Sequence, residues 1–144
     1  MRLLHDEPIA AHTTMRVGGP AARMVVVETP DELVDAVREV DDADEPLLVL
    51  GGGSNLVVAD AGFAGTVVKV ETRGLVVDSL DQCGGANVTV AAGEPWDDVV
   101  ARAVDEGWSG IEALSGIPGS CGATPVQNVG AYGQEVAQSI ARVR

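Results

Sequence analysis

The chain has 144 residues, 46% hydrophobic, 22% charged and 3% aromatic, and its 22 acidic side chains against nine basic ones give a formal net charge of −13. That length suits one or two small domains with an aliphatic core, and the composition is too apolar for a disordered chain. The charge argues against nucleic acid or an anionic membrane surface as a partner, but it leaves room for a phosphorylated ligand held by backbone N–H groups.

The start of the chain, Met1 to Pro8, is charged, and no apolar stretch of signal-peptide or transmembrane length follows. Cys83 and Cys121 form neither a CxxC pair nor a metal-ligand cluster. A cytoplasmic protein with reduced thiols and no metal site is the expectation.

Arg23 to Glu28 (RMVVVE) reads as a buried strand. Thr29-Pro30-Asp31-Glu32 then opens a helix, with Thr29 as cap, Pro30 at the first helical position and Glu32 completing a capping box. Leu33, Ala36, Val37 and Val40 share one face of it. The acidic loop Asp41 to Glu45 ends the helix, and Leu47 to Leu50 forms a short apolar strand. This pattern predicts a βαβ unit with a right-handed crossover.

Thr66 to Val70 and Asn87 to Ala92 read as further strands. Pro95 starts a second helix whose Trp96, Val99, Val100, Ala103 and Val104 form one stripe, with Gly107 placed to stop it. Trp96 belongs to the core in this reading. From Gly107 to Gly133 the chain is rich in turns, and Val136 to Arg144, with Ile140 and Val143, is a strand-like or helical run that nothing terminates. No internal repeat is evident.

Two glycine-rich loops carry the functional signal. The first, Gly51-Gly52-Gly53-Ser54-Asn55, follows the strand LLVL directly. Consecutive glycines permit positive φ and close approach to a ligand, and successive N–H groups can nest a phosphate, with Ser54 and Asn55 as extra donors. It is not a Rossmann fingerprint, since Leu56 stands where the third glycine is needed, nor a P-loop, which needs Gly-Lys-Ser/Thr. Taken alone, GGG reads equally well as a structural turn.

The second loop runs from Leu114 to Gly133 and holds five glycines, two prolines and six hydroxyl- or amide-bearing side chains in twenty residues. Long irregular loops of this kind are usually functional. Gly116, Gly119 and Gly122 recur every third residue, which suits a backbone lying against a flat or phosphorylated ligand. No nucleophile–base pair is visible. His5 and His12 lie far from both loops in sequence and read as surface or packing residues. Cys121 has no local cation to favour its thiolate and reads as a small side chain in a crowded loop.

Four stretches occur in the order and spacing of a known family: HTTMRVGGPA (His12 to Ala21), LGGGSNLVV (Leu50 to Val58), AGEPWDDVV (Ala92 to Val100) and GIEALSGIPGSCGATPVQNVGAYGQE (Gly110 to Glu135). On them the chain resembles the UDP-N-acetylenolpyruvoylglucosamine reductases, also called UDP-N-acetylmuramate dehydrogenases. The last stretch is the most specific, and Met15 departs from the aromatic residue common in the family. The resemblance implies an α+β fold of the PCMH/vanillyl-alcohol-oxidase type, in which two α/β subdomains hold FAD: residues 1–75 the first, residues 76–144 an incomplete second, with the substrate domain absent.

The resemblance further implies that both loops contact FAD. It assigns Gly51, Gly53, Ser54 and Asn55, then Gly116, Ile117, Pro118, Gly119, Ser120, Gly122 and Ala123, to cofactor binding, with Gln127, Asn128, Gly130 and Tyr132 near the cofactor and substrate. Neither loop contains histidine, so FAD is expected to be non-covalent. The implied reaction reduces the enolpyruvyl ether of a UDP-sugar with NADPH as hydride source, in peptidoglycan synthesis. The family's serine, arginine and glutamate motifs lie after the matching region, so no catalytic residue is assigned, and the chain is expected to need the rest of the same enzyme. A non-catalytic flavin- or nucleotide-binding module, or a remnant that binds nothing, stands as the alternative.

Overall fold

A computed structural model describes residues 1–80 and 85–144; Cys83 lies outside the described residues. The chain divides into two compact units, Met1–Arg73 and Gly74–Arg144, each an assembly of strands with helical segments, so the fold is α+β.

The first unit runs β1 (Arg2–Pro8), a 3₁₀ turn (Ile9–His12), β2 (Pro20–Val27), α1 (Pro30–Asp42), β3 (Leu47–Leu50) and β4 (Phe63–Val70). These strands form one mixed sheet in the order β1-β2-β4-β3, with β1 antiparallel to β2 and the other two contacts parallel. The expected βαβ unit is present but split, because β4 lies between β2 and β3. Its run of buried residues, Gly65 to Val68 and then Val70, explains the placement: a strand apolar on both faces is best enclosed on both sides. β1 has no counterpart among the expected strands. It is an edge strand with most side chains exposed, so RLLHDEP shows no alternation, and its pairing with β2 holds it in place.

One face of this sheet is a cluster of Ile9, Ala21, Met24, Leu50 and Val67. Helix α1 begins as its sequence dictates: the Thr29 side chain accepts from the Glu32 N–H (3.2 Å). The Glu32 carboxylate reaches back to the N–H of Glu28 (2.8 Å), one residue earlier than the usual box. Ala36 and Val40 are buried. The helix closes on Asp44, at φ 52°, with Asp44 N–H donating to Asp41 and Glu45 N–H to Val40, a Schellman arrangement on a residue other than glycine.

The second unit contains β5 (Leu75–Leu80) paired antiparallel with β6 (Ala86–Val90), α2 (Trp96–Asp105), 3₁₀ turns at Glu112–Leu114, Cys121–Ala123 and Val136–Gln138, and a small hairpin of β7 (Gly130–Ala131) with β8 (Gln134–Glu135). Its core is Trp96, Val99, Val100, Leu114, Val129 and Val136. Trp96 is core, as expected, and its indole N–H donates to the Leu114 carbonyl (3.1 Å). Gly107, at φ 73°, closes α2: its N–H donates to Val104 and that of Trp108 to Ala103.

Two expectations require correction, and one further strand was not foreseen. Val104 is 54% exposed, because it stands at the flank of the α2 stripe. The extended run to Arg144 is neither strand nor helix beyond Gln138: the 3₁₀ turn tucks Val136 into the core, Ile140 packs against it, and Val143 is exposed. β5 was not anticipated, since only Leu75 and Val77 of LVVDSL are even partly covered.

Candidate functional site

In the first unit the loop Gly51–Asn55 leaves β3 and continues without a helix to β4. Its carbonyls are tied inward: Gly51 O accepts from Lys69 Nζ (2.5 Å), and Gly53 O from the N–H of Thr14 (3.0 Å). Gly53 is buried at φ 68°, and a Cβ there would lie 2.0 Å from the His12 carbonyl oxygen. So the close approach that demands glycine here is made by the chain's own segment His12–Thr13. His12, distant in sequence, is adjacent in space, and its ring Nε2 lies 2.9 Å from the Glu7 carboxylate.

Beside this loop is a concavity of about 400 Å³ lined by Ala11, His12, Thr13, Thr14, Arg16, Gly52, Lys69 and Glu71. Buried Thr13 donates its hydroxyl to the Val17 carbonyl (3.1 Å), which folds the segment into a bend, and Arg16 sits at φ 57°, a left-handed conformation that costs a side-chain-bearing residue about 1–2 kcal/mol. Burial pushes the Lys69 ammonium below its ordinary pKa; Glu71 opposes this and Arg73 reinforces it. None of the residues lining this concavity is a site residue expected from the sequence; the expected Gly51, Gly53, Ser54 and Asn55 belong to the adjacent loop. His12, Thr14, Arg16 and Lys69 were not assigned, although HTTMR lay in a matching stretch and a lone lysine in an apolar strand is itself a signal.

In the second unit the long loop is strung along the start of α2. Asp97, in the first helical turn, accepts from the Gly116 N–H (2.7 Å) and the Ser115 hydroxyl (3.1 Å). Gly119 O accepts from the N–H of Trp96, Cys121 N–H donates to Glu94, and Gly122 N–H donates to Ala92. A Cβ on Gly122 would meet the Ala92 Cβ at 2.5 Å, so glycine is required for packing. Gly116 differs: at φ 77°, with no heavy atom within 4 Å of a Cβ placed there, it faces open space. Ile117 packs against the core, Ser120 is buried, and Pro118 is exposed.

Of the remaining residues, Asn128 braces the hairpin, donating to Glu135 (2.8 Å) and accepting from the Ala137 N–H (3.0 Å). Gln127 and Gly130 are exposed, and Tyr132 is 96% exposed at φ 51°. Burial, with the Glu94 carboxylate adding to it, pushes the Cys121 thiol up to about 11, which makes it a poor nucleophile. The structure thus gathers the candidate residues into two braced, glycine-rich surfaces, one on each unit. Among the described residues, no helix is long and apolar enough to cross a membrane.

The first surface combines glycine backbone with the charged side chains of Arg16, Lys69 and Glu71, and the second is backbone and glycine held by the Asp97 carboxylate. The sequence profile of the FAD binding domain family matches residues 21–144, and the chain belongs to that family. Over 139 residues it is 58% identical to the UDP-N-acetylenolpyruvoylglucosamine reductase of Cutibacterium acnes, covering 96% of this chain and 37% of that protein. The reductase of the same name from Saccharopolyspora erythraea is 60% identical over 135 residues, covering 94% and 37% respectively. The crystal structure of UDP-N-acetylenolpyruvylglucosamine reductase from Thermus caldophilus superimposes with a TM-score of 0.69 at 31% identity, over 94% of this chain and 45% of that one. The chain therefore spans little more than a third of the length of the curated reductases it resembles.

Proposed function

We propose that this chain is the FAD-holding portion of a cytoplasmic UDP-N-acetylenolpyruvoylglucosamine reductase, which forms UDP-N-acetylmuramate with NADPH for peptidoglycan synthesis. The observation that carries the reading is identity near 58% across 96% of the chain, with both glycine-rich loops inside the matched FAD-binding region. The unit Met1–Arg73 serves as the first FAD-binding subdomain, and Gly74–Arg144 belongs to the second.

The residues present fit a non-covalent flavin dinucleotide. Gly52, Ser54 and Asn55 offer a backbone turn with polar side chains, and nothing lies within 4 Å of a Cβ placed on Gly116, so a ligand can approach its backbone. We assign the pyrophosphate to the Gly51–Asn55 loop and contact with the remainder of FAD to residues Gly116–Ala123. Gln127, Gly130 and Tyr132 are assigned to the cofactor and substrate surroundings. Asn128 acts there by fixing the hairpin.

Held by the Gly51–Asn55 loop and residues Gly116–Ala123, FAD would supply the two-electron redox chemistry that joins NADPH oxidation to reduction of the enolpyruvyl group. The residues of this chain bind and orient it; no proton donor or acceptor for the substrate is assigned among them. We place recognition of the UDP-sugar in the part of the reductase that the matched third does not span.

The test is the visible spectrum of the purified 144-residue chain, before and after adding FAD. Flavin absorption near 450 nm that survives gel filtration and is released by denaturation supports non-covalent binding. A colourless chain that also fails to take up added FAD refutes the reading.

A further inference from the structure

β4 is the most enclosed strand of the first unit, and Lys69, the only lysine in the sequence, interrupts its apolar run. Its register partners are Val26 on β2 and Leu50 on β3, both buried. Partners in parallel register point to the same face, so the ammonium stem rises among aliphatic side chains. Half-burying a cation there costs solvation that a methionine of similar length would not lose. Core packing alone therefore gives no reason for a lysine at this position.

The charge is aimed at the first glycine-rich loop. Nζ donates to the carbonyl that opens it, Gly51 O, at 2.5 Å, while the side chain also lines the concavity beside Gly52. One of the three ammonium donors is thereby anchored, and the cation is held against the loop. Arg16 adds a second positive charge to the same lining, Thr14 a hydroxyl, and Glu71 a carboxylate that offsets one charge. The ring nitrogen Nε2 of His12 is engaged by the Glu7 carboxylate at 2.9 Å.

We propose that Lys69 is the binding determinant for the ligand's phosphates: held against the Gly51–Asn55 loop, its ammonium supplies a fixed positive charge for the pyrophosphate of FAD. This assignment rests on the flavin reading above and extends it to a residue outside both glycine-rich loops. A lysine kept for binding is a net cost to the empty fold, which separates the assignment from a purely structural role.

The experiment titrates FAD into the wild-type chain, Lys69→Met and Lys69→Arg, following flavin fluorescence, and records the melting temperature of each without ligand. Lys69→Met is expected to bind FAD at least about tenfold more weakly, the scale of one charge-assisted contact, while melting at or above the wild-type temperature. Lys69→Arg keeps the charge and is expected to retain most of the affinity. Unchanged affinity in Lys69→Met overturns the proposal. A loss of affinity that accompanies a lower melting temperature also overturns it, because Lys69 would then be a brace for the loop. If the wild-type chain takes up no FAD, the flavin reading falls first and this assignment with it.

Discussion

Gly53 shows how a residue chosen by one constraint can be mistaken for the product of another. Its positive φ was legible in the run of three glycines, but what comes close to it was not, since His12 belongs to a different stretch of chain. A methyl at Gly53 meets the His12 carbonyl oxygen at 2.0 Å, with the Thr13 Cα also inside contact distance, whereas one at Gly116 meets nothing. Gly53→Ala is therefore expected to destabilise the chain by at least about 2 kcal/mol, backbone strain plus displaced backbone. Gly116→Ala should cost only the left-handed strain, about 1 kcal/mol. Urea unfolding of the two variants checks this: equal midpoints would show that the loop yields and that the approach of His12 is not binding. The same pair ought to separate differently in FAD titration, where the methyl at Gly116 intrudes on the space assigned to the cofactor.

At the scale of elements, the second glycine-rich loop owes its shape to the helix it follows. Asp97 is the joint: a first-turn carboxylate, favourably placed at the helix N-terminus, that takes both the Gly116 N–H and the Ser115 hydroxyl. Asp97→Ala should release that segment, with a stability cost of about 1 kcal/mol and a larger relative loss of FAD affinity. Asp97→Asn retains an acceptor oxygen and should recover much of both. Denaturation midpoints and FAD dissociation constants of the two variants decide the matter; an Asp97→Ala chain that binds FAD normally would show that the loop holds itself. Both helices, the Thr29 cap, the Gly107 stop and the stripe from Trp96 to Ala103 were legible because caps and 3.6-residue periodicity act locally, whereas the closure of α1 on Asp44 was not, since it falls on a residue other than glycine. β1 and β5 were not, because strands with little buried surface carry no alternation and are fixed only by their partners.

For the whole molecule, the family supplies a cofactor, and linkage supplies the measurement. A ligand bound only by the native state at 100 times its dissociation constant stabilises by about 2.7 kcal/mol, which for a chain of this size raises the melting temperature by about 5–10 °C. FAD is expected to produce that shift and adenosine a much smaller one; no shift with saturating FAD would contradict cofactor binding by this chain. The chain's formal charge of −13 gives no hint of an anionic ligand. The local arrangement overrides it: Arg16 and Lys69 stand together at one concavity, and a contact of a few ångströms outweighs charges screened beyond roughly 10 Å.

By itself the sequence determined both helices with the Thr29 cap and the Gly107 stop, the apolar stripe of the second unit, the two glycine-rich loops and, through the family motifs, the α+β class. Each of these is written in neighbouring residues, as a cap, a period or a run of glycines, or in motifs close enough together to be read as one string. The tertiary structure alone decided that β4 separates β2 from β3, that Gly53 makes room for His12, and that Lys69 reaches the loop that leaves the adjacent strand. Those facts depend on which distant segments pair, and pairing is set by the burial of whole faces and by backbone hydrogen bonds between strands, neither of which leaves a mark at the single residue.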